Sequence, residues 1–149
     1  MKNINTNIFH PAWVVGFIDG EGTFFIGLNP NKTMALGVQV QLQFSVTQHI
    51  RDVMLMNNLV NFFNAGYIAP DGTSKVQFRM RDFGQLENNL FPLLDQYPLM
   101  TQKRLDAEAF RKVHSMMKQG LHLTSTGLDE IRAIKSTMNR ARMTGYKKS

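Results

Sequence analysis

The chain has 149 residues, a mass of 17.0 kDa and no cysteine, which allows one domain of ordinary size and excludes disulfides, thiol nucleophiles and cysteine-ligated metals. Hydrophobic residues make up 43% and charged residues 19%, a balance typical of a folded protein rather than a disordered one. The net charge is +6, and the last 50 residues carry 11 basic and 4 acidic side chains, which favours a polyanionic partner such as nucleic acid.

The first predicted element is a short helix. An apolar run at 12–19 follows Pro11 and ends in Asp19-Gly20-Glu21-Gly22. Proline is favoured in a first helical turn, so we expect a helix that closes in a glycine-rich turn. Gly16 and Gly20 share one helix face, where a second helix could approach closely. Acids at a helix C-terminus cost about 0.3–1 kcal/mol, which a bound cation would relieve. The alternative is a glycine-rich cap with two solvated acids.

Two strands, a helix and a hairpin follow. Residues 23–28 are aromatic and branched and predict a strand, which a turn at 29–32 ends. Residues 37–48 alternate between apolar and polar side chains, which predicts a long strand with one buried face. Residues 49–63 change to helical spacing. Two shorter strands, 67–69 and 75–81, are predicted as a hairpin.

Helices complete the chain. They are predicted at 83–94, 101–119 and 126–139, before a basic C-terminal tail at about 140–149. The order is therefore α-β-β-α-β-β-α, plus helices. Hairpins separated by helices predict an α+β fold, with one antiparallel sheet and helices packed on one face. We expect residues 1–149 to form a single domain.

The polar face of the two alternating strands carries glutamine, hydroxyl and basic side chains and no acid. Glutamine can pair with adenine, and arginine or lysine with guanine, in a major groove that a two-stranded ribbon fits. The alternative is a plain solvent-exposed face, although such faces usually mix both charge signs. We therefore expect this face and the neighbouring turn to bind double-stranded DNA through Asn29, Lys32, Gln39, Gln41, Gln43, Ser45, Thr47, Lys75, Gln77, Arg79 and Arg81.

Residues 14–22, Val-Val-Gly-Phe-Ile-Asp-Gly-Glu-Gly, match the LAGLIDADG pattern in order. Trp13 precedes the motif and Thr23-Phe24 follows it. With the segments 44–48 and 97–103, the chain resembles the LAGLIDADG homing endonucleases encoded by organellar introns, over nearly its whole length. The resemblance implies the αββαββα fold of that family, with a saddle-shaped sheet.

A single copy of the motif resembles the homodimeric members of the family, in which two motif helices pack side by side. The resemblance therefore implies a dimer interface at Trp13, Gly16, Phe17 and Gly20. By position, Glu21 is expected to bind the catalytic divalent metal, with help from the Gly20 carbonyl. The implied ion is Mg²⁺ or Mn²⁺, whereas Ca²⁺ would support binding without cleavage.

The implied reaction is phosphodiester hydrolysis on both strands of a long, pseudo-palindromic DNA target. Glu21 would hold the metal, Lys103 would stabilise developing charge and Gln48 would position water. Some relatives carry a basic residue four positions after this glutamine, where this chain has Asp52. Neither Asp52 nor its neighbour Arg51 is assigned a catalytic role. Asp19 is expected to cap or orient the turn rather than to bind metal.

Two other functions stay open on the same fold. One is a maturase, a splicing factor that binds intron RNA, and the other is a DNA-binding protein that does not cleave. A basic surface suits either nucleic acid, whereas the retained acid and lysine favour cleavage. The polar first residues lack a signal or transit pattern and no apolar run could cross a bilayer, so we expect no membrane partner. The resemblance implies an organelle, a mitochondrion or else a chloroplast.

Overall fold

The computed structural model describes residues 3–139, so the predicted basic tail lies outside the described residues. Its first half contains α1 (Pro11–Glu21), β1 (Gly22–Pro30), β2 (Val38–His49), a 3₁₀ turn (Ile50–Asp52), α2 (Val53–Phe63), β3 (Tyr67–Asp71) and β4 (Lys75–Met80). Its second half contains α3 (Phe83–Gln85), a π-helical segment (Leu86–Leu90), α4 (Phe91–Gln96), α5 (Lys103–Lys118), a second 3₁₀ turn (Leu121–Leu123) and α6 (Ser125–Ser136).

The four strands form one sheet in the order β1-β2-β4-β3. Strand β4 pairs antiparallel with both β2 and β3. The predicted α+β class and the αββαββα order are therefore confirmed. Within residues 3–139, the helices are all too short or too polar to span a membrane.

The end of α1 differs from the prediction. The helix continues through Glu21, and β1 begins at Gly22 with no turn between them. Gly22 has an ordinary φ of −78°, and its N–H donates to the Ile18 carbonyl. A Cβ at Gly22 would lie 2.8 Å from that carbonyl oxygen. The predicted glycine-rich turn is wrong because this glycine provides a close approach, not a left-handed turn.

Two other boundaries also differ. Strand β1 continues through Asn29 and Pro30, so the predicted turn begins only at Asn31. The helix predicted at 83–94 contains the π-helical segment. Pro92 has no N–H to donate to the carbonyl of Asn88, four residues earlier. That carbonyl instead accepts a hydrogen bond from Asn3 Nδ2 at 3.1 Å.

Residues 3–139 divide into two compact units, and the first comprises 3–23 and 43–101. Its core contains a cluster of fully buried phenylalanines. The ring of Phe63 lies 5.5 Å from that of Phe78 and 6.4 Å from that of Phe44. Helix α2 therefore packs against the apolar side of β2 and β4, and the polar side chains of these strands face the other way.

Among the described residues, the second unit comprises 24–42 and 102–139. Phe24 of β1 packs edge-on against Phe110 of α5 at 5.4 Å. Strand β1 lies at an edge of the sheet. Two of its carbonyls accept hydrogen bonds, from Lys135 Nζ to Ile26 and from Asn139 Nδ2 to Phe24. Lys135 at the end of α6 and Asn139 just after it therefore cover backbone groups that would otherwise be open to pairing with another strand.

Gly66 is the position where the first unit depends most on glycine. Its φ is +83°, and a Cβ there would lie 2.6 Å from the Phe78 ring and 2.8 Å from the Arg79 carbonyl. We expect Gly66→Ala to lower the free energy of unfolding by about 2–4 kcal/mol, because backbone strain adds to overpacking. Urea denaturation measures the loss.

Gly72→Ala is the matched control. Gly72 also has a positive φ, +69°, but its Cβ would meet open space. We expect a loss of about 1 kcal/mol from strain alone. Equal losses for the two variants would contradict the packing role of Gly66.

Candidate functional site

Helix α1 has one buried and one exposed side. It begins at Pro11, and His10 Nδ1 accepts from the Ala12 N–H at 3.1 Å. Val14, Val15 and Ile18 are buried in the first unit. The exposed side carries a set of four residues that we call the motif-helix strip: Trp13, Gly16, Phe17 and Gly20.

The motif-helix strip combines two stacked aromatic rings with two glycines whose surroundings are open. The rings of Trp13 and Phe17 stack at 5.2 Å, and Trp13 is 46% exposed. Among the described residues, nothing comes within 4 Å of a Cβ built at Gly16 or Gly20, apart from the chain neighbours and the helix's own backbone. The backbone of α1 is therefore open to close approach along this strip.

Glu21 is the last residue of α1 and is exposed. Within residues 3–139, its carboxylate makes no hydrogen bond or ion pair. Gly20 lies in the same last turn, where carbonyl groups lack partners within the helix. Carboxylate and carbonyl oxygens at the negative end of a helix dipole suit a hard cation such as Mg²⁺.

Within residues 3–139, Glu21 is not part of a larger cluster of acidic or histidine side chains that could hold a metal. The described residues contain no group of three or more histidine, cysteine, aspartate or glutamate side chains that could hold a metal. The chemistry of the Glu21 carboxylate fits a divalent ion as one ligand.

Asp19 is engaged elsewhere. Its Oδ2 accepts from the Met100 N–H at 2.9 Å, and its Oδ1 accepts from the N–H and the hydroxyl of Thr101 at 3.1 and 2.7 Å. The carboxylate therefore orients the segment just before α5 rather than its own turn. Charge-assisted hydrogen bonds of this kind are stronger than neutral ones.

The two other predicted catalytic residues occupy element ends. Gln48 lies near the end of β2, where its Nε2 donates to the Thr47 carbonyl at 2.8 Å. Lys103 is the first residue of α5 and is half-buried. Near Gln48, the Arg51 N–H donates to His49 Nδ1, and Asp52 makes no side-chain cap for α2.

Register places the outward side chains of β3, β4 and β2 in three rows. Each row contains one residue from each strand: Tyr67, Arg79 and Ser45; Ala69, Gln77 and Thr47; Asp71, Lys75 and His49. We call this surface the outer face. Sequence reasoning missed Tyr67 and Asp71 because β3 has only five residues, which is too short for a recognisable alternation. Strand β3 also adds an acid to this face.

Side chains of the outer face are hydrogen-bonded to one another. Gln77 Nε2 donates to Thr47 Oγ1 at 3.0 Å. Gln77 Oε1 accepts from Arg79 Nε. The amide of Gln77 is therefore held from both ends.

Ser45 differs from the prediction. It is only 4% exposed, so its hydroxyl is not available as a surface contact. Gln43, Thr47 and Arg79, which flank Ser45 or lie opposite it, all have longer side chains, and we attribute its burial to them. The other predicted DNA-binding positions are exposed or half-exposed: Asn29, Lys32, Gln39, Gln41, Gln43, Thr47, Lys75, Gln77, Arg79 and Arg81.

Comparisons with known proteins identify the family to which the chain belongs. Residues 14–114 match the family model described as LAGLIDADG endonuclease. The chain belongs to this family. A probable intron-encoded endonuclease of Neurospora crassa is 35% identical over 127 residues, which cover 85% of this chain and 26% of that protein. The chain thus spans about a quarter of the length of the first curated relatives it matches.

Two crystal structures of homing endonucleases are similar to this chain. The homing endonuclease I-TnaI has 36% identity and a TM-score of 0.85, with 91% of this chain and 95% of that chain covered. The LAGLIDADG homing endonuclease I-LtrWI, bound to target DNA, has 36% identity and a TM-score of 0.87, with 89% and 45% covered. Helix α1 carries the motif and is called the LAGLIDADG helix below.

We expect Asp19→Ala to release Met100 and Thr101, which lie between α4 and α5. Loss of three hydrogen bonds to a carboxylate should lower the free energy of unfolding by about 1–3 kcal/mol. Hydrogen exchange should accelerate at the amides of Met100 and Thr101.

Asp71→Ala is the control for this prediction. Asp71 is exposed at the end of β3, so its loss should change stability by less than about 0.5 kcal/mol. Unchanged protection at residues 100 and 101 in Asp19→Ala would contradict the anchoring role.

Proposed function

We propose that the chain is a site-specific homing endonuclease that cuts both strands of a long, pseudo-palindromic DNA target as a homodimer. One observation carries the proposal. The exposed carboxylate of Glu21 ends the LAGLIDADG helix, and the motif-helix strip on the same helix is open to the approach of a second helix. Family membership and the likeness to I-LtrWI bound to target DNA support it.

The proposed cofactor is Mg²⁺, for which Mn²⁺ can substitute, whereas Ca²⁺ supports binding without cleavage. Glu21 and the Gly20 carbonyl would hold the ion. When bound, it supplies Lewis-acid stabilisation of phosphate charge and makes a nearby water more acidic. Because the described residues offer no set of three ligands, we expect the missing oxygens to come from a second copy of the chain and from the DNA phosphate.

Two further residues are proposed to act on the phosphodiester. Lys103 would stabilise the negative charge that develops on the phosphate as the bond breaks. Gln48 would orient the attacking water. Its Nε2 is already engaged by the Thr47 carbonyl, so its Oε1 is left to accept a hydrogen bond from that water.

Strand length sets the expected size of the target. The 12 residues of β2 span about 40 Å at roughly 3.3 Å per residue. At about 3.4 Å per base pair, one protomer would follow roughly ten base pairs. A homodimer would read about twice that length, with the symmetry of the protein mirrored in the site.

The proposed setting is a mitochondrion. The resemblance to enzymes encoded by organellar introns and the intron-encoded relative in a fungus support this setting.

The LAGLIDADG helix gives the first prediction for the proposed dimer. We expect Gly16→Leu to leave the protomer folded, because its side chain would enter open space. The same side chain should block the approach of a second helix and shift the protein towards monomer. Sedimentation equilibrium measures the change. Asn57→Leu, at an exposed position of α2, adds the same apolar group elsewhere and should leave the assembly unchanged.

An unchanged dimer in Gly16→Leu would count against the motif-helix strip as the interface.

Glu21→Gln tests the metal ligand. We expect this variant to bind the target and to lose cleavage by at least about a hundredfold, because a neutral amide is a much poorer ligand for Mg²⁺ than a carboxylate. Glu130→Gln is the matched control, since within residues 3–139 Glu130 forms no interaction other than an exposed ion pair with Lys112. Substantial nicking by Glu21→Gln would contradict the assignment.

The experiment that tests the whole proposal is cleavage of genomic DNA that lacks the mobile intron, followed by sequencing of the ends. It is run with Mg²⁺, with chelator and with Glu21→Gln. Unique breaks that require metal and disappear in the variant would support the proposal and reveal the site. No breaks, from protein that is folded and dimeric, would overturn it and direct attention to binding of intron RNA or of uncut DNA.

A further inference from the structure

On the outer face, two hydrogen bonds link three side chains that belong to two strands. Thr47 and Gln77 are directly opposite each other in the β2–β4 register, and Arg79 lies two residues from Gln77 on the same face. Gln77 Nε2 donates to Thr47 Oγ1 at 3.0 Å, and Gln77 Oε1 accepts from Arg79 Nε. All three side chains are half-buried, so they have less rotameric freedom than fully exposed ones.

Donor and acceptor chemistry fixes the direction of these two hydrogen bonds. Arginine has only donors, so the amide oxygen of Gln77 must face Arg79. The amide nitrogen then faces Thr47, whose hydroxyl oxygen accepts. Without that acceptor, a half-buried N–H would be left unpaired and the orientation of the amide would be less strongly held.

The terminal nitrogens of Arg79 are left available. Within residues 3–139, they take part in no hydrogen bond or ion pair. The acid that β3 brings to this face, Asp71, lies opposite Lys75 rather than Arg79. With Nε committed to Gln77, Arg79 presents the pair Nη1 and Nη2, which matches the O6 and N7 acceptors of guanine.

We propose that Thr47, Gln77 and Arg79 act as one reading unit for a single guanine in each half-site. Arg79 contacts the base, whereas Gln77 and Thr47 are positioning residues that hold its guanidinium. Adenine is rejected because its N6 amino group would face the donors of Arg79. This inference rests on the proposed function, and it replaces the expectation that Gln77 and Thr47 each contact DNA themselves.

The test uses the full chain and the target found by genomic cleavage, with Ca²⁺ present so that binding is measured alone. Each guanine of the half-site is replaced in turn by 7-deazaguanine, which lacks the N7 acceptor. We expect one guanine whose replacement weakens wild-type binding but not binding by Arg79→Ala. At that position, wild type should prefer guanine to adenine by about 5- to 150-fold.

Thr47→Val should lower that preference at least about threefold and leave other positions unchanged. Thr47→Ser keeps the acceptor oxygen and should restore the preference. Combined with Arg79→Ala, Thr47→Val should have no further effect at this base pair. Thr73→Val, in the turn between β3 and β4, is the control for the loss of a threonine hydroxyl.

Three results would overturn the reading unit. Additive effects of Thr47→Val and Arg79→Ala would mean independent contacts. An effect of Thr47→Val at another base pair would mean that Thr47 reads DNA itself. A loss in Arg79→Ala that is uniform across sequences, with a shallower salt dependence, would mean a phosphate contact.

A measurement without DNA separates this inference from the proposed function. The Arg79 Nε–H should exchange with solvent faster in Thr47→Val and in Gln77→Ala than in wild type, when followed by NMR. Unchanged exchange would overturn the reading unit even if the protein cuts its target. Failure of wild type to cut or bind any DNA, with normal exchange changes in the variants, would instead contradict the proposed function and leave the side-chain unit as a structural feature only.

Discussion

The direct join between the LAGLIDADG helix and β1 is the constraint on which the site depends. The backbone of Gly22 lies so close to the last turn of the helix that a Cβ on this residue would be 2.8 Å from the Ile18 carbonyl oxygen. Because no turn intervenes, Glu21 is the last residue of the helix and stands next to the first residue of the strand. Its carboxylate is placed by two regular elements rather than by a loop, which makes its position more definite.

The fold could be predicted where a pattern is long or local. Strand β2 was expected over 37–48 from alternation alone, and it extends over Val38–His49. The end of α1 could not, because a glycine required for close approach looks the same in sequence as one required for a left-handed turn. The π-helical segment before Pro92 also escaped prediction, since its hydrogen bonds depend on the fold and Asn88 bonds to a residue 85 positions away.

In the candidate site, only residues that a pattern within one helix or strand identifies could be predicted from the sequence. The motif identifies Glu21, and alternation identifies most of the outer face. The burial of Ser45 and the contribution of Tyr67 depend on which strands are neighbours, and alternation within one strand does not contain that information. For the same reason, the link from Thr47 through Gln77 to Arg79 becomes visible only in the β2–β4 register.

The covering of β1 by Lys135 changes what the basic charge of the last 50 residues means. Lys135 is among the 11 basic residues of this segment, yet its ammonium bonds to the Ile26 carbonyl and lies 4.7 Å from the centre of the Phe25 ring. Arg104 and Lys112 are paired with Glu108 and Glu130. Counted charge therefore exceeds the charge presented to a polyanion, and the dependence of nucleic-acid binding on ionic strength should be shallower than the count of cations implies.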